Sequence, residues 1–301
     1  MRLVFFGTPD AAVPALRALH AAGHDVACVV TQPDRRRGRG SDPSPSPVKV
    51  AAEALELPVL TPERSREVID HVAASGAEIG VVVAFGQLLP EALLEAVPRG
   101  FLNVHFSLLP RWRGAAPVAR AVLAADSETG VCIMALEAGL DTGPVYSRAV
   151  TPIGSHETAG ELEARLVVLG TDLLVTTLPA IPMSIPTPQV GEPTYADKLT
   201  VEEFELDWEL PATDLARMVR AGNPRPGAWT NDHGKRLKVW RARALSASVD
   251  AAPGTVFAHT RVATGEGSLE LVEVQPEGKR MMAANAWLAG RREPTVLLGT
   301  S

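Results

Sequence analysis

The sequence predicts an α/β protein in which a doubly wound, mostly parallel sheet is followed by a small β-barrel domain. Three observations predict it. Strand-type and helix-type stretches alternate from the first residue to about residue 150, the pattern of a parallel sheet crossed by helices. Four prolines and no clear period between Pro182 and Pro193 then read as an interdomain linker. Further on, short β-type runs are separated by glycines and other turn formers, as in a small barrel. The expected parts are residues 1–181, a linker at 182–208, and residues 209–301.

The elements follow in order. Arg2 to Phe6 is an apolar strand, Gly7-Thr8-Pro9-Asp10 a turn, and a helix runs to about Ala22 with Gly23 as its stop. Val26 to Thr31 completes a β-α-β unit. Such a unit raises the possibility of a dinucleotide site, with Asp34 near the place of a ribose-binding acid. The phosphate fingerprint is missing, because Gly7 is followed by Thr8-Pro9-Asp10 without the second and third glycines. Residues 32 to 47 carry Arg35, Arg36, Arg37 and Arg39, then prolines alternating with serines, and read as a basic loop. A helix over Val48 to Leu55, a short strand at Val59-Leu60, a helix over Arg64 to Ala74 and a buried strand over Ile79 to Ala84 continue the alternation. Thr158-Ala159-Gly160-Glu161 has the form of a capping box opening a helix that reaches about Leu178. In the last part a helix spans Thr213 to Ala221, and β-type runs cover Leu237 to Trp240, Thr255 to Ala258, Val262-Ala263 and Leu269 to Val274.

Composition narrows the function classes. With 301 residues, 46% of them apolar, the chain is long enough for sizeable cores. Apolar runs such as Ile79 to Phe85 fall short of the ~20 residues that cross a bilayer, so no membrane partner is expected. Met1 to Phe6 is too short for a signal peptide and is read as the first strand. Cys28 and Cys132 lie in apolar runs with no Cys-x-x-Cys, and no His-Glu-x-x-His occurs. Buried packing in a reducing cytoplasm is therefore expected, with no metal. Net charge is −6, but it divides into −9 over residues 1–206 and +3 over residues 207–301. A C-terminal part that touches a polyanion fits this asymmetry, as does a solvated surface.

The chemistry is placed at Phe101 to Pro117. Apolar residues at 102, 104 and 106 alternate with Asn103 and His105, so a period of two puts amide and imidazole on one face of a strand. Buried sheets are normally apolar on both faces, and a polar pair there needs partners or a substrate. A self-satisfied polar pair is the plain alternative. Ser107-Leu108-Leu109-Pro110 ends the strand, and Arg111-Trp112-Arg113-Gly114 leads into a helix whose first turn takes Pro117.

Asn103-x-His105 followed by Ser107-Leu108-Leu109-Pro110, together with Gly139-Leu140-Asp141-Thr142-Gly143 after the apolar run Val131 to Leu136, resembles the folate-dependent formyltransferase family. The resemblance implies a Rossmann-like first domain and Asn103, His105 and Asp141 as the catalytic trio. It also implies 10-formyltetrahydrofolate as formyl donor, with no metal. Ser107, Leu108, Leu109 and Pro110, and Phe85, Gly86 and Gln87 at the end of the preceding strand, are implied to line the folate site. For both segments an ordinary turn would look the same.

Asn223 to Trp229 and Lys238 to Ala242 resemble the OB-like C-terminal domain of the methionyl-tRNA formyltransferases within that family. Thr31-Gln32-Pro33-Asp34 and Pro45 to Lys49 resemble the flanks of those enzymes' acceptor-stem loop. This implies initiator methionyl-tRNA as partner, Arg36, Arg37 and Arg39 as contacts, and Arg111 and Arg113 facing the acceptor end. A solvated basic loop, and an arginine stacked on Trp112, are the structural alternatives. A monomer is expected.

The implied roles follow from formyl transfer to an uncharged amine. Asn103 would donate a hydrogen bond to the formyl oxygen, an interaction worth ~3 kcal/mol when the donor is held in place. His105 would support the developing charge and exchange a proton, and Asp141 would orient it, directly or through water. A formyltransferase acting on a sugar nucleotide or small amine is the alternative enzyme. A module that binds folate or tRNA without turnover is the alternative outside catalysis.

Overall fold

The computed structural model describes residues 1–36, 42–247, 249–257, 259–291 and 296–299. Its contacts divide the chain into two compact units. The first comprises Met1–Pro117, Glu128–Pro152 and Glu163–Ala196, and the second Val118–Ser127, Ile153–Leu162 and Asp197–Ser301.

Seven strands build the sheet of the first unit: β1 (Arg2–Gly7), β2 (Asp25–Val30), β3 (Val59–Leu60), β4 (Ile79–Val83), β5 (Phe101–His105), β6 (Glu128–Ala135) and β7 (Val145–Pro152). Their order is β7-β6-β5-β4-β1-β2-β3. The pairs of β1 with β2 and β4, of β2 with β3, and of β4 with β5 are parallel, whereas β6 runs antiparallel to both β5 and β7. Leu3 to Phe6 and all of β4 are buried, as strands covered on both faces must be.

Local signals set the crossings. α1 (Val13–Ala21) follows a 3₁₀ turn at Asp10–Ala12, and Gly23 leaves it at φ 80°. Ser46 caps α2 (Pro47–Ala54), its hydroxyl accepting from Lys49 N at 2.9 Å with Pro47 in the first turn. α3 (Ala159–Thr177) begins with the expected capping box: Thr158 N donates to Glu161 Oε2 at 2.9 Å and Glu161 N to Thr158 Oγ1 at 3.2 Å. With its 3₁₀ continuation it spans Ala159–Met183, long and apolar enough by length and composition to cross a membrane. Leu166, Val167, Leu174 and Leu178 are nevertheless buried, and a Cβ on Gly170 would stand 3.0 Å from Val104 and 3.1 Å from Val131. The helix therefore packs on β5 and β6, against the even-numbered face of β5. The odd-numbered face begins with Phe101, in edge-to-face contact with Phe6 at 5.4 Å, and continues to Asn103 and His105. Gly80 on β4 makes room for that ring, since a Cβ there would lie 2.1 Å from Phe101.

In the second unit β8 (Ala228–Asp232), β9 (Lys235–Leu245), β10 (Thr255–Phe257), β11 (Arg261–Ala263) and β12 (Ser268–Pro276) form an antiparallel sheet. Its order is β8-β9-β12-β11-β10, with Val296–Leu297 next to β10. Gly299 N donates to Asn231 O at 2.8 Å, so the two outer strands meet and the sheet curls into the expected barrel. α4 (Ala212–Gly222) packs on β9.

Two segments differ from expectation. Arg35–Arg36 pairs antiparallel with Pro43–Ser44, so the basic loop has the arms of a hairpin. The stretch expected as a linker has partners along its length. Thr187 exchanges two 2.8 Å backbone hydrogen bonds with Val145, and Tyr195–Ala196 pairs with Arg113–Gly114 in the first unit. Phe204, Leu206 and Trp208 are buried in the second. Prolines removed the periodic signal without preventing irregular backbone from finding partners.

Candidate active site

β5 delivers Asn103 and His105, and the turn that follows shapes their surroundings. His105 is 5% exposed, and its Nε2 lies 2.9 Å from the carbonyl oxygen of Trp112. A carbonyl only accepts, so Nε2 carries the hydrogen and Nδ1 is the nitrogen left for exchange. Nδ1 faces Asp141 Oδ2 at 3.6 Å. That distance suits an ion pair when the ring is charged and is too long for a good hydrogen bond. Asp141 is 12% exposed, and its Oδ2 accepts from Gly114 N at 2.8 Å. Among the described residues, nothing hydrogen bonds to the Asn103 side chain, whose residue is half-buried between Val82 and Met134 on the neighbouring strands. A donor amide, an imidazole and a carboxylate thus lie around the end of one strand.

The left-handed backbone of three residues makes this possible. Trp112 (φ 62°) turns its carbonyl to His105, Gly114 (φ 118°) passes close to Ala196, and Asp141 (φ 50°) points back at the ring. For residues other than glycine such a conformation costs about 1–2 kcal/mol, so the contacts around it must hold it.

Ser107 is fully buried and spends its hydroxyl on Arg111 O at 2.6 Å, closing the turn. Leu109 packs with Cys132, Met134 and Val145, while Leu108 and Pro110 are partly open. Phe85 is buried against Phe6, and its carbonyl takes Thr8 Oγ1 at 3.0 Å and Gln32 Nε2 at 2.9 Å. Gly86 (φ 83°) leaves no room for a Cβ beside Gln32 Nε2. Gln87 braces the neighbouring loop, accepting from Ser65 N at 2.8 Å and donating to Glu63 O at 3.2 Å. The two segments leave the adjacent parallel strands β4 and β5 at their carboxyl ends. The strand order reverses between β1 and β4, where ligands of doubly wound sheets bind.

Arg111 is exposed and stacks over Trp112 at 4.5 Å. Arg113 donates to Gln189 Oε1 through Nε at 3.1 Å and Nη2 at 2.6 Å. Arg36 is exposed, and Arg37 and Arg39 lie outside the described residues. Asp34 binds Lys49 Nζ with both oxygens at 2.9 Å, and this bond holds the lysine above its usual value, so Asp34 is committed within the chain.

Residues 1–178 match the formyl transferase model and residues 198–292 the model of the formyl transferase C-terminal domain. The chain belongs to the formyl transferase family. It is 50% identical to the methionyl-tRNA formyltransferase of Roseobacter denitrificans over 96% of both chains. It is also 50% identical to that of Paracoccus denitrificans, over 98% of this chain and 99% of the other. HypX of Aquifex aeolicus, solved in complex with tetrahydrofolic acid, shares the fold at TM-score 0.68 and 16% identity; the match covers 96% of this chain and 47% of HypX.

Within this formyl transferase, the pattern brought Asn103, His105 and Asp141 together from distant positions. It missed three groups that hold them: the carbonyl of Trp112, the N–H of Gly114, and Gln189. The first two are backbone atoms, which no side-chain pattern encodes. Gln189 lay in the proline-rich stretch, where only the absence of a period was visible.

Proposed function

We propose that this chain transfers the formyl group of 10-formyltetrahydrofolate to the free amino group of initiator methionyl-tRNA, giving N-formylmethionyl-tRNA for translation initiation. It is proposed to act in the cytoplasm, as a monomer and without a metal. The observation that carries this reading is identity of half the residues with methionyl-tRNA formyltransferases along nearly the whole chain, C-terminal part included.

The folate supplies an activated formyl group on a nitrogen able to leave. Leu88, Leu108 and Pro110, apolar and at least partly accessible on the two segments, support contact with a flat ring. Asn103 Nδ2 donates to the formyl oxygen as negative charge grows there, the kind of contact whose loss costs about 10²–10³ in rate. His105 takes up a proton from the attacking amine at Nδ1, since Nε2 stays on Trp112 O, and returns it towards the departing nitrogen. Asp141 supports the charged ring across 3.6 Å and is itself steadied by Gly114 N.

Formyl transfer is assigned to residues 1–181 and RNA contact to residues 209–301, with 182–208 as the connection. Arg36, Arg37, Arg39, Arg111 and Arg113 are assigned to the tRNA. Their exposure, or their place beside the trio, supports this for Arg36, Arg111 and Arg113. Assay of the purified chain with 10-formyltetrahydrofolate should show formylation of methionyl-tRNA and none of free amines or sugar nucleotides. Preference for an amino sugar nucleotide would overturn the reading.

A further inference from the structure

Gln189 uses every hydrogen-bonding position of its amide. Its Oε1 accepts from Arg113 Nε and Nη2, and its Nε2 donates to the carbonyl oxygens of Asp141 and Gly143, both at 2.8 Å. A guanidinium only donates and a carbonyl only accepts, so the amide fits one way round. The segment is pinned on both sides: Thr187 pairs with Val145, and Thr194 takes Trp112 N on its hydroxyl at 2.9 Å and Arg113 N on its carbonyl at 2.9 Å. Thus one amide joins the turn that orients His105 to the turn that carries Asp141.

The Asp141 turn needs such a brace. Asp141 sits at φ 50°, and Gly143 approaches so closely that a Cβ would lie 1.9 Å from Ala135 O. Gly114 N holds only the carboxylate, at 2.8 Å, whereas Gln189 holds the main chain on which that carboxylate is mounted.

We propose that Gln189 is a positioning residue for formyl transfer, fixing the Asp141 turn so that the carboxylate stays on His105. This rests on the proposed reading of the trio. A misplacement of about 1 Å at a reacting group can cost about 10²-fold in rate. Gln189→Leu should therefore lower kcat roughly tenfold to a hundredfold, with KM for folate nearly unchanged; because it also releases Arg113, KM for tRNA is expected to stay nearly unchanged only in Gln189→Glu. Gln189→Glu keeps the acceptor for Arg113 but sets oxygen against the carbonyls of Asp141 and Gly143. It should lose kcat as well, which a role through Arg113 alone would not produce.

The test is kcat and KM for both variants, a thermal midpoint for each, and a cycle with Asp141→Asn. Gln189 acting through Asp141 costs nothing further in the Asp141→Asn background. Wild-type kcat in both variants, or a full additional loss on top of Asp141→Asn, would overturn the proposal. Should Gln189→Leu fail to fold, Gln189→Glu carries the same comparison. A normal kcat for Asp141→Asn alone would instead overturn the reading of the trio.

Discussion

His105 donates its Nε2 hydrogen to the carbonyl oxygen of Trp112 at 2.9 Å. This contact, more than the 3.6 Å approach of Asp141, sets which nitrogen the proposed proton path uses. Nitrogen-15 NMR of the imidazole should show the neutral ring in the Nε2–H form. A neutral ring carrying its hydrogen on Nδ1 would contradict the proton path through Nδ1.

Much of the first unit was legible because apolar strands and glycine or proline punctuation act locally: β1, α1, Gly23 and β2 appear where the pattern put them. The parity of Asn103 and His105 was legible for the same reason. β9 runs longer than its apolar part, over Lys235–Leu245, because pairing with β8 and β12 carries charged residues along. What stayed hidden depends on distant backbone: the carbonyl of Trp112, the partners of residues 182–208, and Gln189 between two turns.

Gly80→Ala should destabilise the first unit. The new methyl would meet the Phe101 ring at 2.1 Å on a strand whose neighbours cannot separate. Such overpacking costs about 1–3 kcal/mol, and the thermal midpoint should fall by roughly 2–4 °C for each of them. An unchanged midpoint would mean the ring repacks freely, and the polar face two residues on would then be less firmly held than described.

Cys28 and Cys132 are fully buried and free. Burial pushes the Cys28 thiol up to about 11 and that of Cys132 in the same direction, so neither supplies thiolate at neutral pH. Iodoacetamide should label both in urea and neither in the native protein, as read by mass spectrometry. Rapid native labelling of either would contradict the packing of β2 or β6.

Glu161 links the capping box to the barrel. Hydrogen bonds from Thr158 and from Arg241 hold its carboxyl down, from 4.5 to about 2. Because the folded value is the lower one, its contribution is present above pH 4.5 and fades as pH falls towards 2. The pair with Arg241 is solvent-exposed, so less than about 1 kcal/mol is expected. Glu161→Gln should lower the urea midpoint at pH 7, with the gap closing at acid pH. A gap that persists undiminished at pH 3 would rule out the ionic origin.

The proposed convergence of Asn103, His105 and Asp141 on one reacting carbon is tested most directly by single-turnover formylation of methionyl-tRNA from 10-formyltetrahydrofolate. Asn103→Ala, His105→Ala and Asp141→Ala should each slow transfer by about 10²-fold or more while binding of folate and tRNA stays close to normal. A variant of any of the three that transfers the formyl group at nearly the unsubstituted rate would contradict the assignment of that residue, and with it the geometry proposed for the reaction.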